Sequence, residues 1–370
     1  MLKQYKLRNY HFQLIIFVVI LTVIGIMLIG SAEPSSQKKQ VIGMGLGLTL
    51  MVIVSLIDYS FILKFRWLYY VAILGLLAYV LFAGPVRGGA RRWIELPVFN
   101  LQPSELAKLV IILFFAAYFM KREENINSLK TLIPAFVIAA APLVLILKEP
   151  DTSTTILTAL IFVTLLFIGG LSYKIVLAVL GISIPVGVIG ISYILRLAQA
   201  ETDSDYRFGR IMSWLYPTDP RWSDNAAQQQ NSIMAIGSGQ LWGKGLNNSV
   251  ATSMKNANYI IEPQTDFIFA VAGEELGFVG TLTIIALLFL IVLECILIAR
   301  KAKDMAGRLI CCGMAALVGF QSFINICVAT GFMPNTGIPL PFVSYGLSSL
   351  VTLYIGMGFV LNVGLQPKKY

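Results

Sequence analysis

Histidine is almost missing from this chain, with His11 the only one in 370 residues. That removes histidine catalysis and His-rich metal sites from consideration, and leaves His11 as an interfacial residue at the mouth of the first apolar run. Cysteine is scarce too. Cys295, Cys311, Cys312 and Cys327 lie in or beside apolar stretches with no CxxC spacing, which supports neither a disulfide framework nor a zinc site. The third shortage is charge, at 13% of residues against about 25% in average soluble proteins. Hydrophobic residues instead reach 57% and the mean hydropathy is +0.78. A water-soluble enzyme, a disordered chain and a nucleic-acid-binding protein are excluded. What remains is a membrane solvent.

Each membrane helix needs about 20 apolar residues, so ten would use about 200 and leave no room for a sizeable soluble domain. Apolar runs fall at about 12–31, 41–57, 67–84, 103–120, 131–147, 154–171, 174–195, 268–299, 306–331 and 343–365. The expected fold is an all-α polytopic membrane protein, a single transmembrane domain over 1–370 with about ten transmembrane helices. The basic N-terminus and the 12–29 run have the outline of a signal peptide. The run is long for one and many spans follow, so it reads as an uncleaved first helix.

Ten spans put both termini on one side, and the charges choose the side. With the N-terminus inside, the cytoplasmic segments hold Lys3, Lys6, Arg8, Lys64, Arg66, Lys121, Arg122, Lys130, Lys174, Arg300, Lys301, Lys303, Arg308, Lys368 and Lys369. The short external loops hold only Lys38, Lys39, Arg87, Arg91, Arg92 and Lys148. Both termini are therefore expected in the cytoplasm. The formal charge of +9 is then mostly an orientation signal. Between spans 7 and 8 lies a long loop, 196–265, with Trp214, Trp222 and Trp242 and both signs of charge, expected as an ordered external cap.

Ionisable groups at membrane depth cost roughly 2.5–3.5 kcal/mol each on insertion scales and mark candidate sites. QPSELAK (102–108) opens the fourth span: Pro103 suits a first helical turn, and Glu105 and Lys108, three apart, share a face. At 1.5 Å per residue Lys108 lies about 9 Å inside the helix start. The pair is either a structural neutralisation or the polar floor of an external cavity. Before it, GGARRWIELP (88–97) sets Arg91 and Arg92 beside Trp93 in an external loop. Forked donors and a stacking ring suit a pyrophosphate, or equally lipid headgroups. KEPDTSTT (148–155) puts Asp151 at a helix start, as a cap and part of a second polar cluster.

IIEPQTDFIFAVAGEELGFVG (260–280) returns the long loop to the membrane. Asp266, half in water and half against FIF, suits a general base. At 100° per residue Glu275 points away from it, so at most Glu274 shares its side. GSGQLWGKG (237–245) fails the P-loop pattern at Ser238 and Gly245 and reads as a turn-rich loop. TGFMPNTGIPLPFVSYG (330–346) has irregular, proline-rich backbone, tolerated at this depth where it lines a cavity that Ser344 and Tyr345 would face. The residues alone leave enzyme and transporter both open.

GARRW, QPSELAK, the PD-containing connection, QQQNSIMAIGSGQLWGKGL, EPQTDFIFAVAGEELG and MPNTGIPLPFVSYG together resemble the SEDS family (RodA, FtsW and SpoVE). They run in family order from about residue 88 to 346. The short N-terminal tail is slightly closer to RodA. Two departures stand out: no glycine follows the PD pair, and Leu347 stands where glycine is usual.

The resemblance implies a peptidoglycan glycosyltransferase of the bacterial cytoplasmic membrane that polymerises lipid II at the external face, for cell elongation or division. It places the family's essential aspartate at Asp266 and its membrane-embedded pair at Glu105 and Lys108. The expected substrate contacts are Arg91, Arg92, Trp93, Glu105, Lys108, Asp151, Arg210, Glu274 and Ser344. The implied partners are lipid II, the polyprenyl-linked glycan strand and a class B penicillin-binding protein, with no nucleic acid. No cofactor is evident and no metal ligands stand out, a divalent cation remaining open. The rival readings are a flippase for lipid-linked precursors and a non-catalytic scaffold for the transpeptidase.

Overall fold

The computed structural model describes residues 10–87, 90–95, 100–175, 177, 206–247, 253–255 and 259–366. Within lipid every backbone polar group must be satisfied inside its own segment, and the long apolar runs accordingly fold as helices. The first four are α1 (Phe12–Ala32), α2 (Pro34–Leu56), the short α3 (Tyr59–Ile62) and α4 (Arg66–Ala83). Then follow α5 (Pro103–Met120), α6 (Leu129–Lys148) and α7 (Thr152–Ile168). Outside the apolar runs stand α8 (Tyr206–Leu215) and α9 (Ser223–Ser238). The chain returns as α10 (Ile268–Arg300), α11 (Met305–Ala329) and α12 (Leu347–Leu365). Among the described residues eight helices are long and apolar enough to cross a membrane, with Thr152–Ile168 a shorter apolar helix. The expected seventh span, 174–195, lies almost wholly outside the described residues.

Helices α5, α11 and α12 form the mostly buried centre, while α1, α2, α4, α6 and α10 leave most of their apolar side chains outward, as lipid-facing helices do. That division places the site, because the buried polar side chains Glu105, Lys108, Gln321, Asn325 and Ser348 all belong to the central three. Two short antiparallel hairpins, Val86–Arg87 with Ala90–Arg91 and Ile94–Glu95 with Asn100–Leu101, carry the arginine loop into α5. Pro103 then occupies the first turn of α5, where its missing N–H costs nothing.

Helix α10 is broken. Its 33 residues would span about 50 Å at 1.5 Å per residue, well beyond a hydrocarbon core of about 30 Å. Counted back from Arg300, Gly277 lies about 34 Å along, near the core's outer edge. There the backbone turns to φ 67°, ψ −163°.

The break orphans carbonyls on one side and N–H groups on the other, and residues 240–245 satisfy both sets. Lys244 N–H donates to the Glu274 carbonyl (2.9 Å) and Gly245 N–H to that of Glu275 (3.0 Å). Phe278 and Val279 N–H donate to the carbonyls of Gln240 (2.8 Å) and Leu241 (3.2 Å). Only glycines allow so close an approach. A Cβ on Gly243 would stand 2.1 Å from the Glu275 carbonyl oxygen, and one on Gly277 2.3 Å from Gly243 N. The GSGQLWGKG segment is thus more than a surface turn: it completes the backbone of a broken helix.

Candidate active site

Asp266 sits just ahead of α10, half-buried, its position fixed through the backbone. Asn325 on α11 donates its amide N–H to the Asp266 carbonyl (2.8 Å) and to that of Ile338 (2.7 Å). One residue earlier, the Thr265 carbonyl accepts from Ser344 Oγ (2.6 Å), which itself accepts from Leu340 N–H (2.7 Å). Ser344 therefore ties the 330–346 segment to the turn bearing Asp266, its hydroxyl committed on both sides.

The Asp266 carboxylate faces Gly337, where a Cβ would lie 3.2 Å from Oδ2 and 3.8 Å from Arg210 Nη1. Gly337 has φ 68°, so this segment approaches both charges in a conformation that glycine alone adopts freely. Burial pushes the Asp266 carboxyl up to about 6. Arg210 opposes that shift, Glu262 and Asp151 add to it, and Arg92 opposes it from further out. A base poised near neutral pH, with two guanidiniums in its field, follows from this arrangement.

Arg210 lies on α8, and α8 and α9 are fastened to the end of α11 and the segment after it. Trp214 on α8 donates its indole N–H to the Gly331 carbonyl (2.8 Å). From α9, Gln229 donates to the carbonyls of Val328 (2.8 Å) and Met333 (2.7 Å), and Ser232 to that of Ala329 (2.8 Å). Facing them across the 330–346 segment is the start of α7. Asp151 caps it, accepting from Thr154 N–H (3.1 Å), and Ser153 Oγ donates to the Thr336 carbonyl (2.6 Å). Arg92 spans the turn before α7, donating Nε to the Glu149 carbonyl (3.1 Å) and Nη2 to that of Pro150.

The structure thus gathers Asp266, Arg210, Asp151 and Arg92 about one segment. Other expected site residues go elsewhere. Arg91 is exposed and donates to the Phe82 carbonyl at the end of α4 (2.8 Å). Trp93 is half-buried. Glu105 and Lys108 form a fully buried pair at 2.8 Å, and Lys108 Nζ also donates to Gln321 Oε1 (3.0 Å). Gln321 passes the link on, donating to the Pro339 carbonyl (2.9 Å). Lys108 is 1% exposed and is linked to the 330–346 segment through Gln321.

Glu274 is a correction. It does not share a side with Asp266: its carboxylate accepts from Lys244 Nζ (2.7 Å), Met254 N–H (2.9 Å) and Lys255 N–H (3.3 Å). Glu275 beside it accepts from Lys255 Nζ (2.6 Å) and Ser31. The helix break follows these two: Glu274 holds Lys244 of the inserted loop, while Glu275 ties α10 to Lys255 and to Ser31 of α1. The sequence reading also passed over Glu149, Gln321 and Asn325. The last two are polar side chains one helical turn apart in an apolar helix, a signal that a search confined to ionisable residues skips. Among the described residues no group of three or more His, Cys, Asp or Glu side chains could hold a metal ion.

Comparison with known proteins places this architecture. Residues 5–369 match the cell cycle protein family FtsW/RodA/SpoVE. The probable peptidoglycan glycosyltransferase FtsW of Geobacter sulfurreducens is 32% identical over 383 residues, covering 98% of this chain and 97% of the relative. Stage V sporulation protein E of Bacillus subtilis is 34% identical over 370 residues, covering 95% of each. Among solved structures, a chain of a peptidoglycan synthase complex that coordinates polymerization and crosslinking superposes with a TM-score of 0.78 at 27% identity, over 96% of this chain and 97% of that one. The rod shape determining protein RodA of Thermus thermophilus gives 0.69 at 27% identity, over 96% of each chain. With a family match over nearly its whole length and relatives above 30% identity, the chain belongs to the FtsW/RodA/SpoVE family of multi-pass membrane proteins.

Proposed function

We infer that this protein is a peptidoglycan glycosyltransferase of cell-wall synthesis, polymerising lipid II with Asp266 as the base. Family membership supports the activity class. The observation that carries the residue assignment is the Asp266 carboxylate, raised to about 6 by burial against the opposing pull of Arg210 and Arg92. The acceptor sugar hydroxyl loses its proton to Asp266 as its oxygen attacks the donor's anomeric carbon. The bond from that carbon to the pyrophosphate oxygen breaks, and the electron pair leaves with the polyprenyl pyrophosphate. An α-linked donor gives a β-1,4 product by this single inverting displacement. Arg210 and Arg92 offset the charge on the leaving group. The excess of Lys and Arg in the segments assigned to the cytoplasm supports an external site with both termini inside. A class B penicillin-binding protein is the proposed partner, in keeping with the synthase complex among the structural neighbours.

The test is polymerisation of lipid II by the purified chain with its transpeptidase. Asp266→Asn keeps the shape and removes the base, so polymer formation should fall by roughly 10²–10⁴-fold while the protein still folds. The wild-type rate should fall as pH drops through about 6, where Asp266 takes up its proton. Polymer from Asp266→Asn at the wild-type rate would overturn the assignment. A flippase would instead move substrate across vesicles and make no polymer in either form.

A further inference from the structure

Glu149 closes α6 and opens the turn into α7. It is fully buried, and among the described residues neither carboxyl oxygen has a hydrogen-bond partner. An ionised carboxylate is strongly disfavoured in such a place. Two charged groups face it: Asp151, two residues along the same turn, and Arg92 from the hairpin before α5. Asp151 is already engaged as the cap of α7. Arg92 is the group that an ionised Glu149 would attract. It donates instead to the carbonyls of Glu149 and Pro150. A guanidinium that passes over an adjacent carboxyl group for two neutral carbonyls marks that group as a carboxylic acid, since a charged acceptor binds it far more strongly. The electrostatics agree: burial, and then Asp151, hold Glu149 up to about 8, with Arg92 opposing.

We propose that Glu149 is a positioning residue for the transfer reaction, kept as a neutral acid so that Arg92 stays fastened across the 149–150 turn and its charge remains available to the Asp266 group. The proposal rests on the glycosyltransferase reading and deepens it, since Arg92 is one of the two cations assigned to the pyrophosphate. Once Glu149 ionises, a guanidinium–carboxylate pair forms. Arg92 then leaves its carbonyls, and a second anion stands beside Asp151. The enzyme therefore carries an alkaline limit of its own, separate from the acid limit set by Asp266.

The experiment is the pH–rate profile of lipid II polymerisation by the full chain with its transpeptidase, for wild type, Glu149→Gln and Glu149→Ala. Glutamine reproduces the shape of the neutral acid and cannot ionise. Both variants lack the ionisable group and keep the 149 and 150 carbonyls, so both should lose the alkaline fall that wild type shows above about 8, and Glu149→Gln, which also fills the side-chain volume, should keep a near wild-type kcat at pH 7. In parallel, infrared difference spectra of wild type against Glu149→Gln at pH 7 should show a carboxylic-acid C=O stretch that disappears as wild type is taken above pH 8. A Glu149→Gln variant far slower than wild type at pH 7, an alkaline limb unchanged in either variant, or no acid stretch would each overturn the proposal. Wild type making no polymer at any pH would strike the glycosyltransferase reading instead, and the infrared measurement would still decide the state of Glu149.

Discussion

Replacing Lys108 by methionine removes the cation from the buried pair beneath the site and keeps much of the side-chain volume. Glu105 is then a carboxylate 3% exposed with its 2.8 Å partner gone. Leaving one member of a buried pair uncompensated costs about 3–5 kcal/mol, and Gln321 Oε1, losing its 3.0 Å donor, adds about 1 kcal/mol. The expected loss for Lys108→Met is therefore about 4–6 kcal/mol, a large part of the stability of a typical domain. The double variant Glu105→Leu with Lys108→Met removes both charges and should be more stable than Lys108→Met alone by at least about 2 kcal/mol, because an apolar pair of similar volume carries no desolvation cost. Denaturant titration of wild type, the two single variants and the double variant in detergent micelles gives the coupling free energy directly. A loss under about 1 kcal/mol for Lys108→Met, or a double variant whose cost equals the sum of the two singles, would refute this account of the pair.

Two further outcomes are expected. Gly243→Ala forces a Cβ to within 2.1 Å of the Glu275 carbonyl at φ 77°, whereas Gly245→Ala, at φ 89°, meets open space. The second should cost only the roughly 1–2 kcal/mol of a left-handed alanine and the first clearly more, as judged by thermal unfolding; equal losses would show that the loop does not sit in the helix break. In a background without native cysteines, Arg221→Cys, in the exposed turn between α8 and α9, should react with a membrane-impermeant thiol reagent on intact cells, and Asn125→Cys, in the exposed turn after α5, only after permeabilisation; the reverse pattern would invert the proposed orientation.

The sequence carried the apolar helices well wherever one side of a run ends in a strong signal. α5 begins at Pro103, which fits a first helical turn, and α10 at Ile268, where the apolar run resumes. α2 shows the limit. The apolar run starts at 41, yet the helix starts at Pro34, because Glu33 caps it by accepting from Ser35 and Pro34 fits its first turn. Hydrophobicity finds the lipid-embedded part of a helix, while caps decide its ends. The break at Gly277 was hidden for a different reason. Its stability comes from backbone groups of residues 240–245, more than thirty positions away, and no local pattern announces that a glycine will be paired across such a distance.

The site was partly legible for the same physical reason that made it ambiguous. Scarcity of charge singles out every carboxylate near the membrane, so Glu105, Asp151, Asp266 and Glu274 all stood out by the same rule. The structure separates them by what each one faces. Glu105, Glu274 and Glu275 each have a lysine ammonium within 2.8 Å: one pair ties α5 to the 330–346 segment through Gln321, one holds the loop in the helix break, and one ties α10 to Lys255. Among the described residues no lysine pairs with Asp266 or Glu149; guanidiniums stand nearby, and burial pushes both carboxyls up, to about 6 and about 8. A carboxyl left to burial and a more distant guanidinium keeps a proton equilibrium in the working range. Membrane depth therefore selects the candidates, and the identity of the neighbouring cation, a tertiary fact, divides those that hold the fold from those that can move a proton.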